Sequence, residues 1–271
     1  MIIEFYKYQG TGNDFVLLDN RSGKYNHLQQ QQIALLCNRR FGIGADGLML
    51  LQQHAGYDFE MVYYNADGAV GSMCGNGGRC LVQFAHDLGI VGEKVHFLAT
   101  DGAHDAFVRN DGWVELRMID VDTISNNNTF TILNTGSPHY VQWCSQAAAI
   151  PVVEAGRAIR YSAPYARDGI NINFAEKQAD HIFVRTYERG VEDETFSCGT
   201  GVTAVALAAA EDVAGSFEQT IRTKGGILTV RYTRKSNGSF TNIWLCGPAS
   251  QVYIGKIDIT KFRNPNEKQW L

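Results

Sequence analysis

Charged residues are scarce in this sequence, and positive ones are not in excess. They make up 19% of the 271 residues, and the formal net charge is −4. Binding to nucleic acid or to an acidic membrane surface needs clustered lysine and arginine side chains. Neither kind of partner is therefore expected.

Long hydrophobic segments are also missing. The longest apolar run, 202–210, is much shorter than the roughly 20 residues of a transmembrane helix. Residues 1–7 include Glu4 and lack the hydrophobic region of a secretory signal. These observations predict a soluble cytoplasmic protein without a membrane partner, whose six cysteines are thiols and not a disulfide framework.

Metal-binding and nucleotide-binding signatures are weak. Cys74 and Cys80 do not form the Cys-x-x-Cys pair of a zinc site, so no metal is expected. Residues 42–47 match G-x-G-x-x-G, but they follow a predicted helix and precede a predicted strand. A dinucleotide site has the opposite order, so a nucleotide is not favoured as a ligand.

Two similar segments each place a cysteine before a predicted helix. The first reads Met73-Cys74-Gly75-Asn76-Gly77-Gly78-Arg79-Cys80, and the second reads Ser197-Cys198-Gly199-Thr200-Gly201. The unpaired N–H groups and the positive dipole end of a helix N-terminus favour a thiolate and can hold a carboxylate. Both cysteines are therefore candidates for acid–base or nucleophilic chemistry.

These two segments belong to an internal repeat. A spacing of 124 residues separates Gly12 from Gly136, Tyr63 from Tyr187, Cys74 from Cys198 and Gly102 from Gly226. A period of this length predicts a duplication into two domains. The first half is 1–125 and carries Cys74, and the second is 126–271 and carries Cys198. The extreme C-terminus could pack back on the first half.

The expected fold class is α+β, with two pseudo-symmetric α/β halves and an active site in the cleft between them. Each half should be a mostly antiparallel sheet or barrel around a helix. Helices are predicted over 28–40 with Asn26 as a cap, 80–88, 151–160 and 202–210, and a linker at 126–128. Strands are predicted over 2–8, 15–18, 48–51, 59–64, 95–99, 113–118, 130–133 and 182–187, and near 220, 228 and 244.

Two facing cysteines suit a proton exchange at one carbon atom. If equivalent loops meet across a cleft, Cys74 and Cys198 address a ligand from opposite sides. One thiolate would remove a proton and one thiol would return a proton to the other face, which is racemisation or epimerisation without a cofactor. Backbone N–H groups would hold the α-carboxylate and stabilise the carbanion: those of Gly75, Asn76, Gly199 and Thr200.

The chain resembles the diaminopimelate epimerase family, whose superfamily also contains proline racemase. The motifs that carry the resemblance are those at 10–15, 42–47, 65–68, 73–80, 137–139, 188–190 and 197–201, so it extends over nearly the whole chain. It implies interconversion of LL- and meso-2,6-diaminopimelate, a step towards lysine and, in many bacteria, peptidoglycan. Diaminopimelate is then the expected partner, and a homodimer is a possible assembly.

The resemblance also implies roles for single residues. Cys74 and Cys198 correspond to the acid–base pair, with His139 and Glu188 as neighbours that shift their protonation. Positions for the polar groups of the substrate are Asn13, Asn65, Asn171, Glu188 and Arg189, and those of the carboxylate-binding loops are Gly75, Asn76, Gly199 and Thr200. Arg189 would bind the distal carboxylate and Glu188 the distal ammonium group. Ser137 replaces an asparagine of many members and Gly47 a glutamine of some, which leaves those two contacts open.

Three alternatives remain. A proline or hydroxyproline racemase would, by resemblance, carry a histidine in place of Asn76. A redox switch would join Cys74 and Cys198 in a reversible disulfide. A non-catalytic amino-acid-binding protein is disfavoured because both thiols are present. The other four cysteines are expected to belong to the core: Cys37, Cys80, Cys144 and Cys246.

Overall fold

A computed structural model describes residues 1–127 and 129–261 of the chain. The α+β class and the two similar halves are confirmed. The elements of the first half are β1 (Ile2–Gly10), β2 (Asn13–Asp19), α1 (Gln30–Cys37), β3 (Gly47–Gln52), β4 (Phe59–Asn65), α2 (Gly75–Asp87), β5 (Lys94–Ala99), β6 (Gly102–Val108) and β7 (Trp113–Arg117).

The second half repeats this order and adds strands at its end. Its elements are β8 (Ser125–Asn126), β9 (Phe130–Asn134), β10 (Pro138–Trp143), α3 (Val152–Arg160), β11 (Asn171–Lys177), β12 (Ile182–Glu188), β13 (Asp193–Thr195), α4 (Gly199–Ala208), β14 (Gly215–Thr223), β15 (Gly226–Arg234), β16 (Phe240–Pro248) and β17 (Ser250–Asp258). Short 3₁₀ turns lie at Ala147–Ala149 and Ile259–Lys261. None of the described helices is long and apolar enough to cross a membrane.

The internal repeat is visible in the order of the elements. The 124-residue shift relates the first residues of β3 and β11, of α2 and α4, and of β6 and β15. Helices α1 and α3 take equivalent places in the two halves. The duplication inferred from sequence spacing is therefore present in three dimensions.

Each half wraps its sheet around a buried helix. Helix α2 packs against β1–β3, β6 and β7, and helix α4 packs against β9–β12 and β14–β16. On β2, Phe15 and Leu17 belong to the core around α2, whereas Val16 and Leu18 pack with α1 on the opposite face. Because both faces of this strand are covered, it is apolar without alternation. The pairing is mostly antiparallel, with parallel pairs β2–β3, β4–β5, β10–β11 and β12–β14.

Strands from the second half complete the sheet of the first. Strand β16 pairs antiparallel with β7, and β17 pairs antiparallel with β1. The extreme C-terminus, for which a return to the first half was predicted, lies at 262–271, outside the described residues. The boundary between 125 and 126 stays a prediction. Asn126, expected in a linker, instead pairs with Thr131 in the β8–β9 ladder.

Several element predictions were wrong in detail. Strand β6, which is half-buried and is joined to β7 by the turn at 110–112, was not predicted. Helix α1 begins at Gln30, where Gln29 N–H donates to Gln32 Oε1 (2.9 Å), and Asn26 instead accepts a bond from Asn20. Strands β10, β11, β13 and β17 were also missed. Strand β17 is mostly exposed, and most of its apolar residues form a contiguous run at 252–254 in place of the alternation of a half-buried strand.

A glycine at the contact between the halves gives a test of this packing. A Cβ atom at Gly225 would overlap the carbonyl oxygen of Thr11 in the first half. We expect Gly225→Ala to lower the free energy of unfolding by about 1–3 kcal/mol, because backbone must move to admit the methyl group. Gly92→Ala is the control, since its Cβ would have no neighbour within 4 Å. Urea denaturation compares the two variants, and equal stabilities would contradict the contact.

Candidate active site

The N-termini of α2 and α4 meet at the interface of the two halves. Cys74 immediately precedes α2, and Cys198 immediately precedes α4, which begins three residues earlier than predicted. A Cβ atom on Gly75 would lie 3.8 Å from Gly199 Cα, and one on Gly199 would lie 3.6 Å from Gly75 Cα. The absence of side chains thus lets the helix ends touch, and the two cysteine loops come together.

Asn76 links the two loops by hydrogen bonds. Its Nδ2 donates to the carbonyl oxygen of Ser197 (2.8 Å) and to Asn13 Oδ1 (3.3 Å). The thiol of Cys74 donates to the same Asn13 oxygen (3.7 Å). Two of the predicted binding residues, Asn13 and Asn76, therefore lie directly beside Cys74.

The glycine-rich stretch at 42–47 has a positioning role. Its Asp46 accepts a hydrogen bond from Asn13 Nδ2 (2.6 Å). Arg39 binds Asp46 (2.8 Å) and Asp14 (2.5 Å), which ties this loop to the start of β2. The stretch that matches a nucleotide-binding pattern thus orients Asn13 instead. Asp46 was not among the site residues predicted from the sequence.

Burial controls the ionisation of both thiols. Desolvation raises the pKa of Cys74 to about 11, although the backbone N–H of Gly77 lowers it, and the Glu188 carboxylate raises it further. The pKa of Cys198 is also raised, first by burial and then by Glu188. The helix N-termini favour the thiolates as predicted, but in this closed arrangement the loss of water outweighs them.

His139 is buried behind the Cys198 loop as a neutral ring. A methyl group on Gly201 would lie 3.4 Å both from His139 Cε1 and from Cys198 Cβ. Burial lowers the pKa of His139 to about 3, and the charge of Arg189 acts in the same direction. Its ionised form is therefore absent at neutral pH.

Asn173 fixes the tautomer of this ring. Its Oδ1 accepts from the Thr186 hydroxyl (3.0 Å), and its Nδ2 donates to Tyr140 O (3.2 Å) and to His139 Nδ1 (3.1 Å). Because Nδ1 accepts a hydrogen bond, the proton of the neutral ring lies on Nε2. That buried Nε2 has no hydrogen-bond partner among the described residues.

A second polar group surrounds Arg189. The Asn171 amide donates to Ser137 Oγ (2.9 Å) and accepts from the Arg189 backbone N–H (2.8 Å). The Arg189 guanidinium donates to Ser137 Oγ (3.4 Å) and to Asp168 O (3.0 Å). Asn171 therefore holds other site residues with both ends of its amide, and Ser137 keeps its hydroxyl hydrogen for a further contact.

Glu188 is the last residue of β12 and directly precedes Arg189. Burial raises the pKa of its carboxyl, with a smaller contribution from Asp46. Its charge in turn raises the pKa of both Cys74 and Cys198. Of the two neighbours predicted to shift the thiols, Glu188 acts electrostatically, whereas His139 is a neutral packing neighbour.

Gly47 and Asn65 lie opposite each other on β3 and β4. A Cβ atom on Gly47 would overlap the Tyr63 ring and lie 2.6 Å from Tyr64 O. A glutamine therefore does not fit at position 47 in this chain, because Tyr63 occupies the space. The exposed side chain of Asn65 has no partner among the described residues.

The remaining cysteines are free thiols. Cys37, Cys80 and Cys246 are buried, as expected for core residues, and Cys144 is partly exposed. In the described part of the chain, no group of three His, Cys, Asp or Glu side chains is arranged to hold a metal ion.

Comparison with solved structures defines the class of fold. The phenazine biosynthesis protein of the PhzF family from Bacillus anthracis matches 95% of this chain and 99% of its own, with a TM-score of 0.76 and 13% identity. A hydroxyproline epimerase from Agrobacterium vitis matches 94% of this chain and 92% of its own, with a TM-score of 0.65 and 14% identity. The chain thus shares the two-half fold of these proteins.

Sequence comparison gives the particular family. The family model for diaminopimelate epimerase matches residues 5–123 and 131–251. Diaminopimelate epimerase of Flavobacterium psychrophilum is 48% identical over 93% of this chain and 98% of the relative. That of Chlorobaculum tepidum is 40% identical over 92% and 99%. The chain belongs to the diaminopimelate epimerase family, as the sequence motifs predicted.

The buried histidine gives a test by acid unfolding. The pKa of His139 falls from the unfolded value of about 6.5 to about 3, so the folded state binds the proton less well. Its stabilising contribution is complete above about pH 6.5 and is lost towards pH 3, at about 1.4 kcal/mol per pH unit. We expect the free energy of unfolding in urea to depend less steeply on pH for His139→Gln than for the unmodified protein. Parallel curves between about pH 6.5 and pH 4 would contradict a buried neutral ring.

Proposed function

We propose that this protein is a diaminopimelate epimerase, which interconverts LL- and meso-2,6-diaminopimelate without a cofactor. The observation that carries the proposal is the contact of two helix N-termini, each preceded by a cysteine, in a chain of this family. Proton exchange at one α-carbon needs a base on one face and an acid on the other. Diaminopimelate, the substrate of this family, has such an α-carbon.

In the proposed reaction, one cysteine thiolate removes the α-proton while the other cysteine thiol donates its proton to the opposite face. The carbanion forms and is reprotonated with inverted configuration. One turnover leaves the first cysteine as a thiol and the second as a thiolate, so protons balance and the roles exchange for the reverse direction. Return to the starting form moves one proton between Cys74 and Cys198.

The α-carboxylate is proposed to bind between the two helix ends. The first N–H groups of each helix have no acceptor within the helix and carry positive partial charge. They can stabilise the charge that spreads onto this carboxylate as the α-proton leaves. The groups concerned are those of Gly75, Asn76, Gly199 and Thr200.

The distal end of the substrate is itself an amino acid and needs opposite charges. We assign its carboxylate to the guanidinium of Arg189, which donates to Ser137 Oγ and whose backbone N–H is held by Asn171. We assign its ammonium group to Glu188, whose partly buried carboxyl would gain a cation. Neutral contacts are assigned to Asn13 and Asn65.

The racemase alternative is not favoured. The relatives at 48% and 40% identity are diaminopimelate epimerases, whereas the hydroxyproline epimerase is only 14% identical. Incubation of the reduced protein with LL-diaminopimelate in D₂O should produce the meso isomer with deuterium at the α-carbon. Exchange with proline or hydroxyproline, but not with diaminopimelate, would reverse this assignment.

Replacement of either thiol tests the two-base mechanism. We expect Cys74→Ala and Cys198→Ala each to lower kcat for epimerisation by about 10²- to 10⁴-fold, because each removes an acid–base group. Cys144→Ala is the matched control, since this partly exposed thiol bonds only to the Ala175 carbonyl among the described residues. Isomer separation by chromatography measures the rates. Normal turnover by either single variant would refute a paired mechanism.

The raised thiol pKa predicts a strong dependence on pH. Because the pKa of Cys74 is about 11, the thiolate is a minor form at neutral pH and increases about tenfold per pH unit. We expect kcat/KM to rise with this slope from about pH 7 to about pH 9, since this parameter reports the free enzyme. A plateau that begins below about pH 7 would mean that the thiolate is already formed.

The cytoplasmic location and the homodimer also stand as proposals. Sedimentation of the purified protein at several concentrations tests the assembly, and cell fractionation tests the location. A protein that is monomeric at every concentration would contradict the proposed homodimer but not the proposed reaction.

A further inference from the structure

The side chain of Arg79 on α2 is completely buried without an anionic partner among the described residues. Its guanidinium donates to Asn76 Oδ1 (3.1 Å), Gly75 O (3.4 Å) and Thr11 Oγ1 (3.4 Å). These acceptors are neutral, and Nε has no acceptor in the described part of the chain. Burial of a cation without a carboxylate partner costs free energy. The presence of Arg79 at this position therefore calls for an explanation.

The internal repeat provides a comparison for this residue. The position 124 residues later is Thr203, whose hydroxyl donates to Gly199 O (3.0 Å). Arg79 makes the equivalent bond to Gly75 O. Each side chain therefore braces the glycine carbonyl that follows a cysteine, but only α2 carries a charge. Two matched helices thus place a cation near one thiol and a neutral group near the other.

Other charges around the thiols add to this asymmetry. The Glu188 carboxylate is the largest cause after burial that raises the pKa of Cys198, and it also raises that of Cys74. The Arg79 charge lowers the pKa of Cys74. Burial raises the pKa of Tyr63, and it raises that of Cys80 to about 12, above that of Cys74, although the Arg79 charge lowers the pKa of Cys80 as well. The cation therefore lies on the side of Cys74.

We propose that Arg79 is a positioning residue that makes Cys74 ionise before Cys198, so that in the reactive form of the enzyme Cys74 is the thiolate and Cys198 the thiol. When the Cys74 thiolate forms, its charge is offset by the buried guanidinium, which also donates to the Gly75 carbonyl and to the Asn76 side chain of the same loop. The proposal rests on the proposed function, in which the two thiols exchange protons. It adds which of them holds the negative charge before substrate binds.

Thiolate absorbance in the ultraviolet tests the order of ionisation without substrate. Titration of Cys198→Ala reports Cys74, and titration of Cys74→Ala reports Cys198. The Cys74→Ala/Cys198→Ala double variant gives the background of the other four cysteines. We expect Cys74 to ionise at a midpoint lower by about one pH unit or more, which is at least tenfold in the ionisation constant. Ionisation of Cys198 at the same or a lower pH would overturn the proposal.

Substitution of Arg79 in the Cys198→Ala background tests the cause. Arg79→Met should raise the Cys74 midpoint by about one pH unit, whereas Arg79→Lys, which keeps a cation, should stay close to the parent. Thr203→Val is the matched control, because it removes the equivalent brace without a change of charge. An unchanged midpoint in folded Arg79→Met would overturn the proposal. If circular dichroism shows that Arg79→Met is unfolded, the midpoints of Cys74 in Cys198→Ala and of Cys198 in Cys74→Ala still test the proposal.

These titrations also separate the proposal from the proposed function. If diaminopimelate is not a substrate, the ionisation order can still hold. If it is the substrate, the acid limb of kcat/KM should move to higher pH in Arg79→Met for both isomers. An acid limb that does not move, together with a shifted midpoint, would mean that Cys74 ionisation does not limit the reaction and would overturn the assigned role.

Discussion

Contact between two helix N-termini is the constraint on which the rest of this structure depends. The positive ends of two helix dipoles repel each other, so this contact favours an anion nearby. Gly75 and Gly199 make the contact sterically possible because neither has a Cβ atom. The same contact removes water, which raises the pKa of both thiols. The site therefore combines strong local attraction for negative charge with a high cost of forming it.

Duplication explains the frame of the site, and departures from symmetry explain its chemistry. Tyr187 donates its hydroxyl to Glu192 (2.9 Å), whereas its equivalent Tyr63 fills the space beside Gly47. Arg79 and Thr203 brace equivalent carbonyl groups with different charge. Identical halves would hold two equivalent thiols, so these differences allow the two cysteines to ionise differently.

Much of the site could be predicted because it depends on short sequence motifs. Cysteine followed by Gly-x-Gly indicates a helix N-terminus, and a common 124-residue spacing indicates that two such ends are equivalent. Strands β6 and β17 were not predicted, since most apolar residues of each lie in one short run, 106–108 in β6 and 252–254 in β17, and not in alternation. Arg79 lies in the motif at 73–80, but its complete burial could not be predicted, because it involves contacts with residues distant in the chain, such as Thr11.

The sequence by itself determined that two cysteines occupy equivalent places before two helices, and which family the chain belongs to. These are properties of local motifs and of their spacing. Only the tertiary structure decided how charge is distributed around the thiols, that Tyr63 excludes a side chain at position 47, and that His139 is neutral. The physical reason is that desolvation and Coulomb interactions depend on distances between residues far apart in the chain, which no local pattern records.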